Sequence, residues 1–411
     1  MRILFIHNNF PGQYRRIERY FQDDKSVDMR TVTLKANKQD IKLRQSRFEP
    51  HRAATKGIHP AVLTTEQAVL MGQAAYSAML NHRKEGWQPD IILSHAGWGS
   101  GMFAKDAFPD AKQLSYFEWF YHAHGSDFEY MRGNEGIDAN DELRLRMKNT
   151  PLLTELASMD WGQCPTAFQL SQLPTVFHSR ITQLHDGVDT DYFAPDAKAV
   201  LQVGKLRLTA DDEVITYVAR GMEEYRGFPQ FMEMVSMLQK RRPNLQVVLL
   251  GDDRVAYGAK RKDGKTFKQW ALETFELDLS RIHFLGLQPL GIFRTLMQIS
   301  KAHVYLTAPF VLSWSMLEAM STGALIVGSE TAPVQEVITH GQNGLLVPFR
   351  DPAAQAAAIE EVLNRQKDFA PLREAARQTI LERYDTRQLL PKYAQLIQSV
   401  ANGSQFQGAA Q

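Results

Sequence analysis

Residues 303–330, HVYLTAPFVLSWSMLEAMSTGALIVGSE, constrain the fold more than any other stretch of the chain. The β-branched and apolar run VYLTA (304–308) has the composition of a buried parallel strand. Pro309 to Leu312 break that pattern. Ser313 then stands at a helix N-cap, and Trp314, Leu317 and Met320 recur at helical spacing until Thr322-Gly323 ends the helix. LIVGS (325–329) is the next buried strand. Strand, loop, helix and strand in this order define an α/β unit. The first N–H groups and the dipole of such a helix, set beside the carboxyl end of a strand, favour a bound phosphate. One carboxylate, Glu318, lies inside the otherwise apolar helix. Burying it is costly unless it is paired or hydrogen-bonded, which marks it as a ligand-binding candidate.

The same rhythm runs through the whole chain. RILFIH (2–7), DIILSH (90–95) and QLSYFE (113–118) read as strands of a first α/β domain. The turn NNFPGQ (8–13) follows the first strand, and its Gly12 either lets a phosphate or sugar approach the backbone or serves a plain βα turn. HAGWGSG (95–101) has glycines spaced G-x-G-x-G, which is not the dinucleotide fingerprint, so no such site is expected. Glu118 and His122 are the acid–base candidates of this half. Loop residues lining an acceptor pocket are a better reading of His122, His124 and Asp127 than a metal site. Lys and Arg outnumber Asp and Glu clearly over residues 15–56. Such a face suits anionic lipid headgroups or an anionic lipid-diphosphate acceptor, and equally suits plain solvation.

The Pro-bearing stretch YFAPDAKA (192–199) reads as a linker, with a first domain at 1–195 and a second at 196–386. Asp189-Thr190-Asp191 is formally D-x-D, but its linker context argues against a metal. In the second domain VITYVAR (214–220) and QVVLLGDD (246–253) are strands, and FPQFMEMVSMLQKRR (228–242) is a helix with Phe231, Val235 and Leu238 on one face. Arg220 and Arg226 flank the loop after the first of these strands. Two guanidinium groups at a strand end can grip a diphosphate through charge-assisted bonds. A final helix is expected at 387–401, then a polar, disordered tail at 402–411.

Composition narrows the class. The 411 residues suffice for two cores, and 44% apolar with 23% charged content is ordinary for a globular protein. A net charge of +1 argues against general nucleic-acid binding. The single Cys164 permits no intramolecular disulfide and fits a reducing compartment. Met1-Arg2 runs straight into a strand, and no apolar run is long enough to span a bilayer. The expected location is cytoplasmic, with membrane association on the cytoplasmic face left open.

LEAMSTGALIVGS resembles the signature of glycosyltransferase family 4, whose pattern is E-x7-E with LEAMA-x-G-x-P around the second Glu. TQLHDGVD (182–189) is similar to the family's I-x-N-G-V-D segment before the domain crossing. The resemblance implies the GT-B fold, two doubly wound Rossmann-like domains facing across a cleft, with the last helix returning to the first domain. It implies that Glu318 holds the ribose of a nucleotide sugar and that Arg220 and Arg226 clamp its diphosphate. Leu312, Ser313, Trp314, Ser315 and Gly12 would line the donor. Phe310 stands where the family has its first Glu, and VLSW replaces the Gly-rich turn.

The implied reaction is retaining hexosyl transfer from a nucleotide-diphosphate sugar such as a UDP-sugar. The acceptor would be a glycan or a lipid-linked molecule, in cell-surface polysaccharide or glycolipid synthesis. No metal or other cofactor is expected, because arginines and a helix dipole replace it. Two alternatives stand beside this: a non-catalytic nucleotide-sugar-binding protein, and a nucleotide-sugar epimerase of the same fold.

Overall fold

The run RILFI, buried at all but its first residue, lies inside a parallel sheet. In this computed structural model, which describes residues 1–404, that sheet belongs to a first unit made of residues 1–187 and the segment from Thr386 onward. Its strands are β1 (Arg2–Ile6), β2 (Asp28–Leu34), β3 (Arg44–Phe48), β4 (Ile91–His95), β5 (Lys112–Tyr116), β6 (Trp161–Cys164) and β7 (Ile181–Gln183). All pair in parallel, in the order β3-β2-β1-β4-β5-β6-β7. Side chains alternate across a strand, so β1 feeds two cores. Ile3 and Phe5 pack with Ile17, Phe21, Leu396 and Ile397 on one face. Leu4 and Ile6 pack with Ala75, Met79 and Ile92 on the other. The helices Arg15–Phe21 and Thr386–Ala401 thus share one face, and the long helix Leu63–Lys84 covers the opposite one.

The second unit spans Val188–Asp385. A hairpin of β8 (Val200–Val203) and β9 (Leu206–Thr209) opens it. Its parallel sheet is built from β10 (Val214–Gly221), β11 (Gln246–Asp252), β12 (Ile282–Phe284), β13 (Ala302–Tyr305), β14 (Ile326–Ser329) and β15 (Leu345–Val347), ordered β12-β11-β10-β13-β14-β15. The helix Phe228–Gln239 buries Phe231, Val235 and Leu238, the face its sequence spacing defined.

Three boundaries differ from the sequence reading. The chain passes between units at 187/188 rather than 195/196, because the linker-like residues already belong to the second core. Val188 N–H donates to the Tyr384 carbonyl at 2.7 Å, Thr190 Oγ1 to Asp385 Oδ2 at 3.0 Å, and Phe193 is 2% exposed. The strand expected at 304–308 is Ala302–Tyr305 instead. Beyond Tyr305 the chain leaves the sheet, and Ala308 N–H bonds to the Tyr225 carbonyl. The tail expected from 402 starts as a helix cap, with Asn402 N–H on Gln398 O and Gly403 N–H on Val400 O; from 405 it lies outside the described residues.

Both sheets reverse their strand order once, between β1 and β4 and between β10 and β13. Open parallel sheets bind ligands at the carboxyl ends of strands at such a reversal. Two loop clusters are therefore singled out by topology alone.

Candidate active site

At the reversal of the second unit, the loop after β10 meets the loop after β13. Arg226 joins them. Its Nη1 donates to Thr307 Oγ1 at 2.8 Å and to Tyr305 Oη at 3.2 Å, and its Nη2 donates to the Val311 carbonyl at 3.0 Å. The side chain is 6% exposed. The expected outward-reaching clamp is thus, for Arg226, an internal brace with its charge behind the loop. Arg220, near the end of β10, is exposed, and its side chain makes no hydrogen bond or ion pair among the described residues. It is the guanidinium of the pair that can reach a ligand directly.

Tyr305 is the second anchor, since its oxygen also accepts the Ser313 N–H at 2.8 Å. Ser313 then caps the helix Trp314–Ser321, with Oγ accepting the Ser315 N–H at 3.3 Å. Leu312 is buried in the core, while Ser313, Trp314 and Ser315 are half-buried along the start of this helix. Glu318 lies one turn further and is 8% exposed, amid the buried residues Met316, Leu317, Ala319 and Met320. Phe310 is packed edge-on against Tyr225 (5.7 Å) and Tyr257 (5.1 Å) and is 7% exposed. The ring that replaces the expected carboxylate therefore sits in an aromatic cluster instead of lining open space.

Glu223 ties a third loop to this cluster. It is fully buried, and Oε2 accepts the backbone N–H groups of Ala256 and Tyr257, both at 2.6 Å. Burial pushes its carboxyl up to about 7, against the lowering effect of those two hydrogen bonds and of Arg226. Tyr257 in turn lies over the Arg226 guanidinium at 5.4 Å.

At the reversal of the first unit, the end of β4 and the loops after β1 and β5 bring together His7, Gln13, His95 and Glu118. His7 Nε2 is 2.7 Å from Gln13 Oε1, and the Gln13 amide donates to Glu118 Oε1. His95 Nε2 lies 3.5 Å from Glu118 Oε2, and the His95 ring stacks on Tyr116. Partial burial alone would raise the Glu118 carboxyl. The neighbouring His95 ring and the Gln13 hydrogen bond outweigh that and hold it below the ordinary range.

Gly12 has φ +45°, and a Cβ there would fall 2.2 Å from the His7 ring. The glycine makes room for His7. His122 is not part of this group: its Nε2 donates to the Gln172 carbonyl at 2.7 Å and its ring packs on Phe120. His124 is held by Glu129 at 3.2 Å and Glu142 at 2.9 Å, on the surface. Asp189 Oδ1 accepts the Tyr192 N–H, closing a turn.

Sequence reasoning missed His7, Gln13, His95, Glu223 and Tyr305. For the two histidines a signal existed, since each sits at the end of an apolar run that becomes a strand at the reversal. The glycines of HAGWGSG are explained by packing. A Cβ at Gly99 would fall 2.2 Å from the Ala68 carbonyl, and one at Gly101 2.4 Å from the Glu155 carboxylate, which itself holds Ser94 and Gly97.

Two doubly wound parallel α/β units are the architecture of the GT-B glycosyltransferases, and solved structures of that fold match nearly the whole chain. Sucrose-phosphate synthase from Thermosynechococcus elongatus superposes with a TM-score of 0.74 at 15% identity, covering 98% of this chain and 100% of that one. Anabaena HepE, solved in complex with UDP and glucose, gives 0.67 at 15% identity over 97% of this chain and 100% of that one. A model of the glycosyl transferase family 4 group matches residues 26–193, and one of glycosyl transferases group 1 matches residues 202–379. The chain belongs to glycosyltransferase family 4. Among curated relatives, the D-inositol 3-phosphate glycosyltransferase of Corynebacterium urealyticum is 25% identical over 190 residues, 45% of this chain and 43% of that protein. That of Mycobacteroides abscessus is 25% identical over 203 residues, 49% of this chain and 43% of that protein. The chain thus spans less than half the length of these relatives.

Proposed function

We propose that this protein transfers a hexose, with retention of configuration, from a UDP-sugar to a glycan or lipid-linked acceptor in polysaccharide or glycolipid synthesis. The observation that carries the reading is the cluster at the second unit's reversal. There an exposed guanidinium, a charge-bearing buried one, a capped helix start and a nearly buried carboxylate occupy one set of loops. Glu318 would accept both ribose hydroxyls, and Arg220 would bind the diphosphate. Arg226 and the helix dipole would add field from behind, stabilising charge as the diphosphate departs.

In a retaining transfer of this kind the new bond forms on the face from which the diphosphate leaves. The departing phosphate takes the acceptor proton, so no enzyme nucleophile is needed. Glu118 in the first unit would accept a hydrogen bond from a second hydroxyl of the acceptor, beside the attacking one, and so orient the attacking oxygen. HepE's complexes with UDP and with UDP-glucose support the choice of UDP-glucose as the first donor probe. Production of glucose or of a glycosylated acceptor tests the reading, and tight UDP-glucose binding with no turnover would instead favour the non-catalytic binder. That second reading draws on Phe310, which removes a carboxylate from the loop.

Turnover is expected to persist in excess chelator. Among the described residues no group of three or more His, Cys, Asp or Glu side chains is placed to hold a metal. Complete loss with EDTA and rescue by manganese would contradict this and return attention to Asp189 and Asp191.

No helix among the described residues is long and apolar enough to cross a membrane. Peripheral contact with an anionic cytoplasmic surface is supported by the exposed cations Arg15, Arg19, Lys38 and Lys42 of the basic stretch. Cosedimentation with anionic vesicles is expected to weaken steeply with salt. Equal partitioning onto neutral and anionic vesicles would leave these cations as solvated surface.

A further inference from the structure

The loop after β1 contains a chain of hydrogen bonds whose direction can be fixed without seeing a proton. The backbone N–H of Asn9 donates to His7 Nδ1 at 3.0 Å. A main-chain N–H can only donate, so Nδ1 carries the lone pair and Nε2 carries the proton. Nε2–H then donates to the Gln13 oxygen, 2.7 Å away. With its oxygen committed to His7, the Gln13 amide must turn its NH₂ toward Glu118 Oε1, to which it donates. Every link agrees with the next, and Gln13 has one permitted orientation.

We propose that Gln13, oriented by the tautomer of His7, is a positioning residue that fixes Glu118 as an ionised hydrogen-bond acceptor for an acceptor hydroxyl beside the attacking one. This deepens the proposed function and rests on its assignment of Glu118 to the acceptor. The Glu118 side chain is 31% exposed, so it is open to a ligand. Gln13 and His95 address different carboxylate oxygens, which leaves the group little freedom to rotate. Gly12 follows from the same relay, because the His7 ring occupies the volume that any larger residue would need.

The titratable groups around Glu118 are His95 and His7, with the phenols of Tyr14 and Tyr116 nearby. Burial, and then the neighbouring His95, push His7 down to about 3. It therefore stays neutral, and its tautomer holds the relay in one direction at any ordinary working pH. An imidazolium would have no lone pair for Asn9.

The relay is tested by titrating the Glu118 carboxyl carbon by ¹³C NMR in glutamate-labelled protein, its resonance assigned by its disappearance in Glu118→Gln. In the unsubstituted protein the midpoint is expected below the ordinary value for Glu. Gln13→Met keeps the length of the side chain, removes the donor, and should raise the midpoint by roughly one pH unit. Gln13→Glu sets two carboxylates against each other and should raise it at least as far. Loss of Gln13 through packing alone would lower the melting temperature and leave the midpoint where it was. An unmoved midpoint in Gln13→Met overturns the proposal. If that variant does not fold, an unmoved midpoint in Gln13→Glu does so. Failure of the acceptor assignment has a separate signature: full transfer activity in Glu118→Gln, whatever the titration shows.

Discussion

Glu118→Gln is expected to lower kcat/KM for glycosyl transfer by about a hundredfold, with donor binding unchanged. A hydrogen bond to a charged group is worth roughly 1.5–3 kcal/mol, and about 1.4 kcal/mol corresponds to each factor of ten. The amide keeps the shape of the side chain but cannot offer a full negative charge to a hydroxyl of the acceptor beside the attacking one. It also places an NH₂ group against either Gln13 or His95. The pH dependence follows from the direction of the shift. The Glu118 carboxyl is held below the ordinary carboxylate range, so its contribution is present above that depressed pKa and is lost as pH falls through it. The acid limb of the transfer rate should therefore lie below the ordinary Glu range and be absent in Glu118→Gln. Steady-state kinetics with saturating donor and varied acceptor decide the matter. An unchanged kcat/KM would remove Glu118 from the reaction.

The second large effect concerns Glu318, on the helix that begins at the second unit's reversal. Its chain neighbours Met316, Leu317, Ala319 and Met320 are all fully buried. A carboxylate at this place can accept two hydroxyl protons from a ribose diol, whereas an amide would turn a donor toward a donor. The loss of two charge-assisted bonds should weaken nucleotide binding by about a hundredfold.

How far the sequence could be read depended on where each residue found its partners. The second unit was legible because its strands are continuous apolar runs and its helix Phe228–Gln239 is amphipathic. β2 and β3 were not, because polar and charged residues interrupt both, DMRTVTL and RQSRF. β3 is an edge strand with Arg44 and Arg47 exposed and only Phe48 buried, so its apolar signal is weak. The end of β13 was misplaced for the opposite reason. Leu306, Thr307 and Ala308 are as buried as the strand before them although they lie outside the sheet, and composition cannot separate the two.

The site was legible only where a local pattern carried it. Ser313, Glu318 and Arg220 sit in a strand–loop–helix context that sequence spacing reveals. Arg226 was correctly placed on its loop, yet its acceptors Tyr305, Thr307 and Val311 come from a different loop far along the chain. No local pattern distinguishes a guanidinium that reaches out from one that is tied inward. The group formed by His7, Gln13, His95 and Glu118 exists only because parallel strand order brings the carboxyl ends of β1, β4 and β5 together.

The nucleotide site is tested most directly by calorimetric titration of UDP into the unsubstituted protein and into Glu318→Gln, with a thermal melt of each. The account predicts near-equal melting temperatures and UDP affinity about a hundredfold weaker in Glu318→Gln. Unchanged affinity together with a lowered melting temperature would make Glu318 a packing residue and contradict the nucleotide site.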